Sequence, residues 1–438
     1  MVQMKRSILS VGLVALLLAG CGETGSDRGG GVPNDTDSKP KDPITLYMLQ
    51  DVATISDEEF ANFIAAPVKA KYPHITVELV RNTKSDAGLS EMITAGSFPD
   101  FMLMTMYQIK VHRDLGTAED LTPYLQKAGI RLDRFDPSAL QTSRVFGESE
   151  NLYALPFSLN FLATFYNKDL FDRFGVPYPK AGMTWQDIIT LGTRFARSEN
   201  GVQYKALFTS SMGEIATQLT LPRVDPVTNK SLFLTDGWKK VAEVIQGIHS
   251  IPGNKGATLD DFLKTQTLPL VASYDARFAA LEKLHGTPEQ FNWDVTQFPS
   301  FPERPNTSFQ STGHFLGISR LSKHKEEVLQ VIQLLTDDSI QTKITENGRF
   351  TALSSEAIKN KYGANMKSMK GKNIEAVFKS AFAPPYQPTT YDGLTNVPLN
   401  NAAKSIMDGT LDINTALRQA EEASNRAIEA EIQMKKNK

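Results

Sequence analysis

Three short apolar runs, ITLYML (residues 44–49), HITVELV (74–80) and DFMLMT (100–105), alternate with stretches of helical character at 58–71 and 89–95. Each run is too short for a buried helix, and the alternation of strand with helix predicts a parallel sheet covered by helices. This pattern restricts the fold more than any other feature of the chain.

The pattern restarts beyond Pro156. FLATFYN (161–167) reads as a strand, and NKDLFDRFG reads as a helix stopped by Gly175, with Pro177 beyond it. Thr184 is placed to cap the next helix, with Asp187 three residues on to complete a capping box. Ile188, Leu191 and Phe195 lie along one face of that helix, and Val328, Val331, Ile332 and Leu335 form another such stripe. Residues 413–435 read as an amphipathic C-terminal helix. Two α/β units are expected.

The first twenty residues have the form of a secretory signal: Lys5 and Arg6, then an apolar run, then small residues. The run is shorter than the ~20 residues that a membrane-spanning helix needs. Leu18-Ala19-Gly20-Cys21 resembles a bacterial lipobox, and Cys21 is the only cysteine of the 438 residues. That resemblance implies cleavage before Cys21 and acylation of its thiol, which excludes disulfides and cysteine catalysis together. Residues 22–42 are rich in Gly, Ser, Asp, Asn and Pro, a composition expected to stay a flexible linker.

Charge and motifs narrow the function. Cleavage removes two of the 47 basic residues and none of the 49 acidic ones, so the mature chain carries a formal charge of about −4. No basic face for nucleic acid is implied. The sequence has no Gly-x-Ser-x-Gly elbow, no His-Glu-x-x-His, no P-loop and no paired-cysteine metal site. Its six histidines are scattered without ligand spacing. No cofactor, metal site or catalytic residue is expected.

Several segments, in order, resemble the bacterial extracellular solute-binding proteins of ABC importers, in particular the maltose-binding and other sugar-binding members. They are SEMITAGSFPDFMLM (90–104), AEDLTPYLQKAG (118–129), YALPFSLNFLATFYNKDLFDRFGVPYPKAGMTWQDI (153–188), residues 313–355 and MDGTLDINTALRQAEEASNRA (407–427). The resemblance implies a two-lobe α/β fold of the type II periplasmic-binding-protein class, hinged around a ligand cleft. It places crossings near 154–158 and 314–318. Residues 43–155 with 318–360 then make one lobe, and 156–317 with 361–438 the other.

Ligands in open α/β lobes lie beyond the carboxyl ends of strands. That rule selects Gln50 and Asp51 after the first strand, Tyr107 after the third, and Tyr274 and Arg277 after LPLVAS. The resemblance adds Asn160, Ser211, Glu214 and Tyr391. Asp51 reads equally well as a helix cap, Arg277 as a partner of a nearby carboxylate, and Arg349 as a surface group. Asp100, Trp185 and Trp293 read as structural.

The function implied is that of a lipid-anchored monomeric receptor on the outer face of the cell membrane, or in a periplasm. It would deliver a small solute, a sugar or oligosaccharide by resemblance, to the permease subunits of an ABC importer. Two rivals remain at this level: a lipoprotein enzyme acting on glycans, and a receptor fold used in signalling or adhesion.

Overall fold

A computed structural model describes residues 42–436. The expected signal segment, most of the linker and the lipidation of Cys21 lie outside the described residues. Contacts divide the chain after Asp42, and the unit beginning at Pro43 carries the helices and strands.

Fourteen strands are described. They are β1 (Ile44–Asp51), β2 (Ile75–Arg81), β3 (Phe101–Met104), β4 (Leu155–Asn160), β5 (Leu162–Asn167), β6 (Arg197–Glu199), β7 (Val202–Tyr204), β8 (Leu207–Thr209), β9 (Leu270–Tyr274), β10 (Trp293–Gln297), β11 (Thr307–Gln310), β12 (Thr312–Ile318), β13 (Phe350–Thr351) and β14 (Ala381–Ala383). One six-stranded sheet has the order β13-β4-β12-β3-β1-β2, and a four-stranded sheet the order β10-β5-β9-β8.

The three runs that open the fold do pair in parallel, β1 with β2 and with β3. The rest of that sheet is antiparallel, because β12 joins β3 and β4 from the opposite direction and β13 joins β4. The sheet is therefore mixed, where the spacing predicts a parallel one. A returning segment from far along the sequence leaves no local signature of its direction.

The same pairing moves the expected crossings. In β12, His314 stands opposite Ser158 of β4, and Thr312 stands opposite Asn160. Boundaries at 155/156 and 317/318 thus cut through paired strands of the first sheet. The chain passes to the second sheet at Phe161, between β4 and β5, and Ser311 separates β11 from β12.

Helix boundaries follow the local chemistry. Thr184 and Asp187 form the expected capping box on the helix Trp185–Thr193. Gly175 ends the helix Lys168–Phe174 in the left-handed conformation at φ 62°, where a side chain would be strained. Ser56, not Asp51, caps the helix after β1, again through a capping box, with Glu59.

Strand β5 is buried throughout because both its faces are covered. Ala163 and Phe165 pack with a cluster that also runs beneath the first sheet, whereas Leu162 and Tyr166 pack with the helices Asp236–His249 and Asn396–Asp408. Phe161 joins the two halves. Its ring lies 5.2 Å from Tyr362, 5.3 Å from Phe378 and 5.5 Å from Phe350. Such edge-to-face contacts add to the burial of the rings themselves, so the passage between sheets is anchored by an aromatic knot.

Candidate ligand-binding site

Two aromatic pairs face one cavity. The helix Met106–Asp114 leaves β3 through Thr105 and carries Tyr107 in its first turn. Tyr107 meets Phe146, on the helix Pro137–Gly147, edge to face at 5.3 Å. Tyr274, the last residue of β9, meets Phe309 of β11 at 5.5 Å in the same manner. All four line a cavity of about 900 Å³. Tyr107 as a residue is 41% exposed.

Polar groups line the same cavity as the rings. Ser211 and Glu214 form the capping box of the helix Met212–Thr217: Ser211 Oγ accepts from the Glu214 amide, and Glu214 Oε2 accepts from the Ser211 amide at 3.0 Å. Both residues line the cavity with Thr217, Arg223, Gln310 and Asp392. Burial, followed by the nearby Glu214 carboxylate, raises the Tyr274 phenol well above its ordinary pKa. The ring therefore presents a neutral hydroxyl that donates.

Asp392 is 6% exposed. Its Oδ1 accepts from Thr389 Oγ1 at 2.8 Å, while Oδ2 is enclosed without a hydrogen bond of normal geometry. Burial raises its pKa against the opposing pull of Thr389. The neighbouring Tyr386 hydroxyl likewise opposes that rise, and its ring packs 5.9 Å from Phe146.

Of the expected site residues, Tyr107, Ser211, Glu214 and Tyr274 converge on this cavity. Five others do not line it. Asp51 is buried, with Oδ1 taken by Asn82 and Oδ2 beside His112 Nε2 at 3.1 Å, so its carboxylate organises the end of β1. Gln50 turns its side-chain oxygen into an enclosed space without a partner. Asn160 ends β4 opposite Thr312, which does line the cavity. Arg277 is half-buried with its Nε unpartnered, and burial lowers its pKa. Tyr391 sits under the Lys435 ammonium, 5.3 Å from the ring centre, and it is the next residue that enters the wall.

Sequence reasoning missed Arg223, Phe146, Phe309, Gln310 and Asp392. Phe309 and Gln310 lie on a short strand whose alternation is too brief to read, and Arg223 lies in a proline-flanked loop without periodicity. Asp392 was one step from the Tyr391 region that the resemblance selects.

The strands that link the sheets carry a second polar cluster. Arg349 donates to Glu59 Oε1 at 2.9 Å, to Ser158 Oγ at 3.3 Å and to His314 Nδ1 at 2.5 Å. Since Nδ1 accepts, the ring proton is on Nε2, and burial beside the guanidinium drives the His314 pKa well down. Arg349 is a nearly buried clamp on β4 and β12, not a surface group.

Residues 55–342 match the family model described as bacterial extracellular solute-binding protein. The chain belongs to this family. Solved structures agree in fold. An ABC substrate-binding protein from Listeria monocytogenes, in complex with cycloalternan, is 18% identical and superposes with a TM-score of 0.70 over 88% of this chain and 99% of that one. A sugar transporter from Rhizobium etli, in an open conformation, is 18% identical with a TM-score of 0.73 over 87% and 99%. A sugar-binding protein from Xanthomonas citri is 15% identical with a TM-score of 0.70 over 90% and 100%. The likeness shows that this chain has the α/β fold of the type II periplasmic-binding-protein class.

Among the described residues, no cluster of His, Cys, Asp or Glu suits a metal ion, and no helix is long and apolar enough to cross a membrane.

Proposed function

We propose that this protein is an extracytoplasmic receptor that captures an oligosaccharide in the 900 Å³ cavity and delivers it to an ABC importer. The observation that carries the reading is the convergence of Tyr107–Phe146 and Tyr274–Phe309 on one cavity that hydroxyl, amide and charged groups also line. A pyranose has apolar faces for such rings and peripheral hydroxyls for such polar groups. Lobe one comprises residues 43–160 with 312–360, and lobe two the remainder of the folded unit, with the divide at Phe161 and Ser311. Ligand that touches both lobes favours their approach.

Capture proceeds without chemistry on the bound sugar. A glycan-cleaving enzyme needs two carboxylates that reach the scissile bond, one of them held protonated. Glu214 and Asp392 are the carboxylates best placed on the inner wall, and Asp392 has the raised pKa. The spare oxygen of Asp392 is enclosed, however, and one oxygen of Glu214 is engaged by its helix cap. Neither arrangement leaves a proton donor free at a substrate oxygen. Anchoring through an acylated Cys21 keeps the receptor at the membrane.

Calorimetric titration with neutral oligosaccharides, including the maltotetraose and mannotriose present in similar structures, tests the reading. Saturable binding with no released sugar is expected. Absence of binding across the panel, or turnover of the sugar, would overturn it.

A further inference from the structure

Arg223 is the cation whose placement the rest of the cavity leaves unexplained. It enters from the loop before the helix Asp236–His249, and its Nη1 donates to Asn396 Oδ1. Its Nη2 lies against the bare α-carbon of Gly213, where an added Cβ would approach that nitrogen to 2.8 Å. Among the described residues, no carboxylate forms an ion pair with it, although Asp392 and Glu214 line the same cavity. The guanidinium is partly exposed, and its remaining N–H groups are free to donate to a ligand.

We infer that Arg223 is a specificity-determining residue, donating from its unused guanidinium nitrogens to an oxygen of a neutral bound sugar. This rests on the carbohydrate reading above. The fixed fork of the guanidinium suits two adjacent oxygens on a ring, and a flexible ammonium does not hold that geometry. The other cations of the lining, Lys110 and Lys435, are paired with Asp114 and Glu148 and with Glu431, so neutral sugar is favoured over uronate by the two carboxylates that share the wall with Arg223, Glu214 and Asp392. A ligand carboxylate would meet both.

Gly213 is part of the device. Its missing side chain lets the guanidinium come close to the first turn of the helix Met212–Thr217, and Asn396 holds the other end of the fork. The donor is thus oriented before ligand arrives, which reduces the entropy lost on binding.

The test uses the soluble chain from Gly22 onward, titrated by calorimetry with a neutral panel (maltotetraose, mannotriose, cellotetraose and xylotetraose) and with tetragalacturonate. Wild type, Arg223→Met, Arg223→Lys and Gly213→Ala are compared, with ligand-free melting recorded for each. For the tightest neutral ligand, Arg223→Met is expected to weaken binding about ten- to one-hundred-fold, as for loss of a charged hydrogen bond. Arg223→Lys should recover only part of the loss. Gly213→Ala retains every polar group and favours the helix, yet should weaken binding by displacing the guanidinium, and this holds the test open if Arg223→Met folds poorly. Tetragalacturonate should bind wild type more weakly than the best neutral sugar. Unchanged affinity in both Arg223→Met and Gly213→Ala, or preference for the uronate, would overturn the inference while leaving a carbohydrate receptor intact. Wild type that binds nothing in either panel would instead remove the carbohydrate reading, and the inference with it.

Discussion

Arg349 and Glu59, 290 positions apart in the chain, are joined by an ion pair of 2.9 Å beside the two strands that lead from one sheet to the other. The same guanidinium bonds Ser158 on β4 and His314 on β12, residues that stand opposite each other in register. One side chain thus ties the capped start of the helix after β1 to both linking strands. Its place across β4, which runs into Phe161, and β12, which follows Ser311, ties together the two strands at the passage between sheets.

Removal of this clamp should be costly. Arg349→Met leaves Glu59 without its cation and removes one donor from the Ser158–His314 pair, which keeps its own bond of 3.2 Å, a loss of about 3 kcal/mol by analogy with broken, partly buried pairs. Urea unfolding checks this. A variant as stable as wild type would show that the cluster carries no net stabilisation.

His314 gives the protein an acid-sensitive point. Its pKa is well below 6.5 in the folded state, so between that depressed value and about 6.5 the unfolded chain binds more protons. Stability from the neutral ring is fully present above pH 6.5 and declines as the pH falls below it. His314→Gln keeps an acceptor for Arg349 and does not titrate, and its melting temperature should fall less steeply between pH 6.5 and 5. Parallel curves for the two proteins would contradict this assignment.

Asp275 has the opposite sign. Burial, opposed by Arg349 and Arg277, raises its carboxyl from 3.8 to about 7. A raised acid stabilises the fold when protonated, and that contribution is lost as the pH climbs from about 4 through 7. Asp275→Asn should therefore melt higher than wild type at pH 8 and close to it at pH 4. It should also uncover the His314 slope that Asp275 partly cancels between pH 4 and 6.5. Equal melting of the two proteins at pH 8 would refute the raised value.

Val52 holds a β-branched residue at φ 63°, in a tight turn closed by the Ala53 amide donating to Asp51 at 2.7 Å. Its side chain is 57% exposed, so little burial compensates the strain. Val52→Gly removes a steric cost of about 1–2 kcal/mol and adds about 0.5–1 kcal/mol of backbone entropy. Thermal unfolding should show a neutral to slightly stabilised variant. A clear destabilisation would mean that the exposed valine makes contacts the turn depends on.

The sequence was most legible where structure is local. The apolar runs of β1, β2 and β3, the Thr184–Asp187 capping box and the stop at Gly175 each follow from a few adjacent residues. Direction of pairing was not legible, because β12 meets β3 and β4 only through contacts distant in sequence. The strand-end rule found Tyr107 and Tyr274, which lie directly beyond β3 and within the end of β9. It failed at Asp51, whose carboxylate is consumed by His112 and Asn82, partners that no spacing announces. Arg223 and Asp392 escaped for the same reason: their meaning arises only when loops from different parts of the chain share a wall.

Small-angle scattering of the soluble chain, with and without a saturating oligosaccharide identified by calorimetry, tests the clamping of ligand between lobes most directly. A smaller radius of gyration in the complex is the predicted result. An unchanged radius at proven saturation would contradict closure around the ligand.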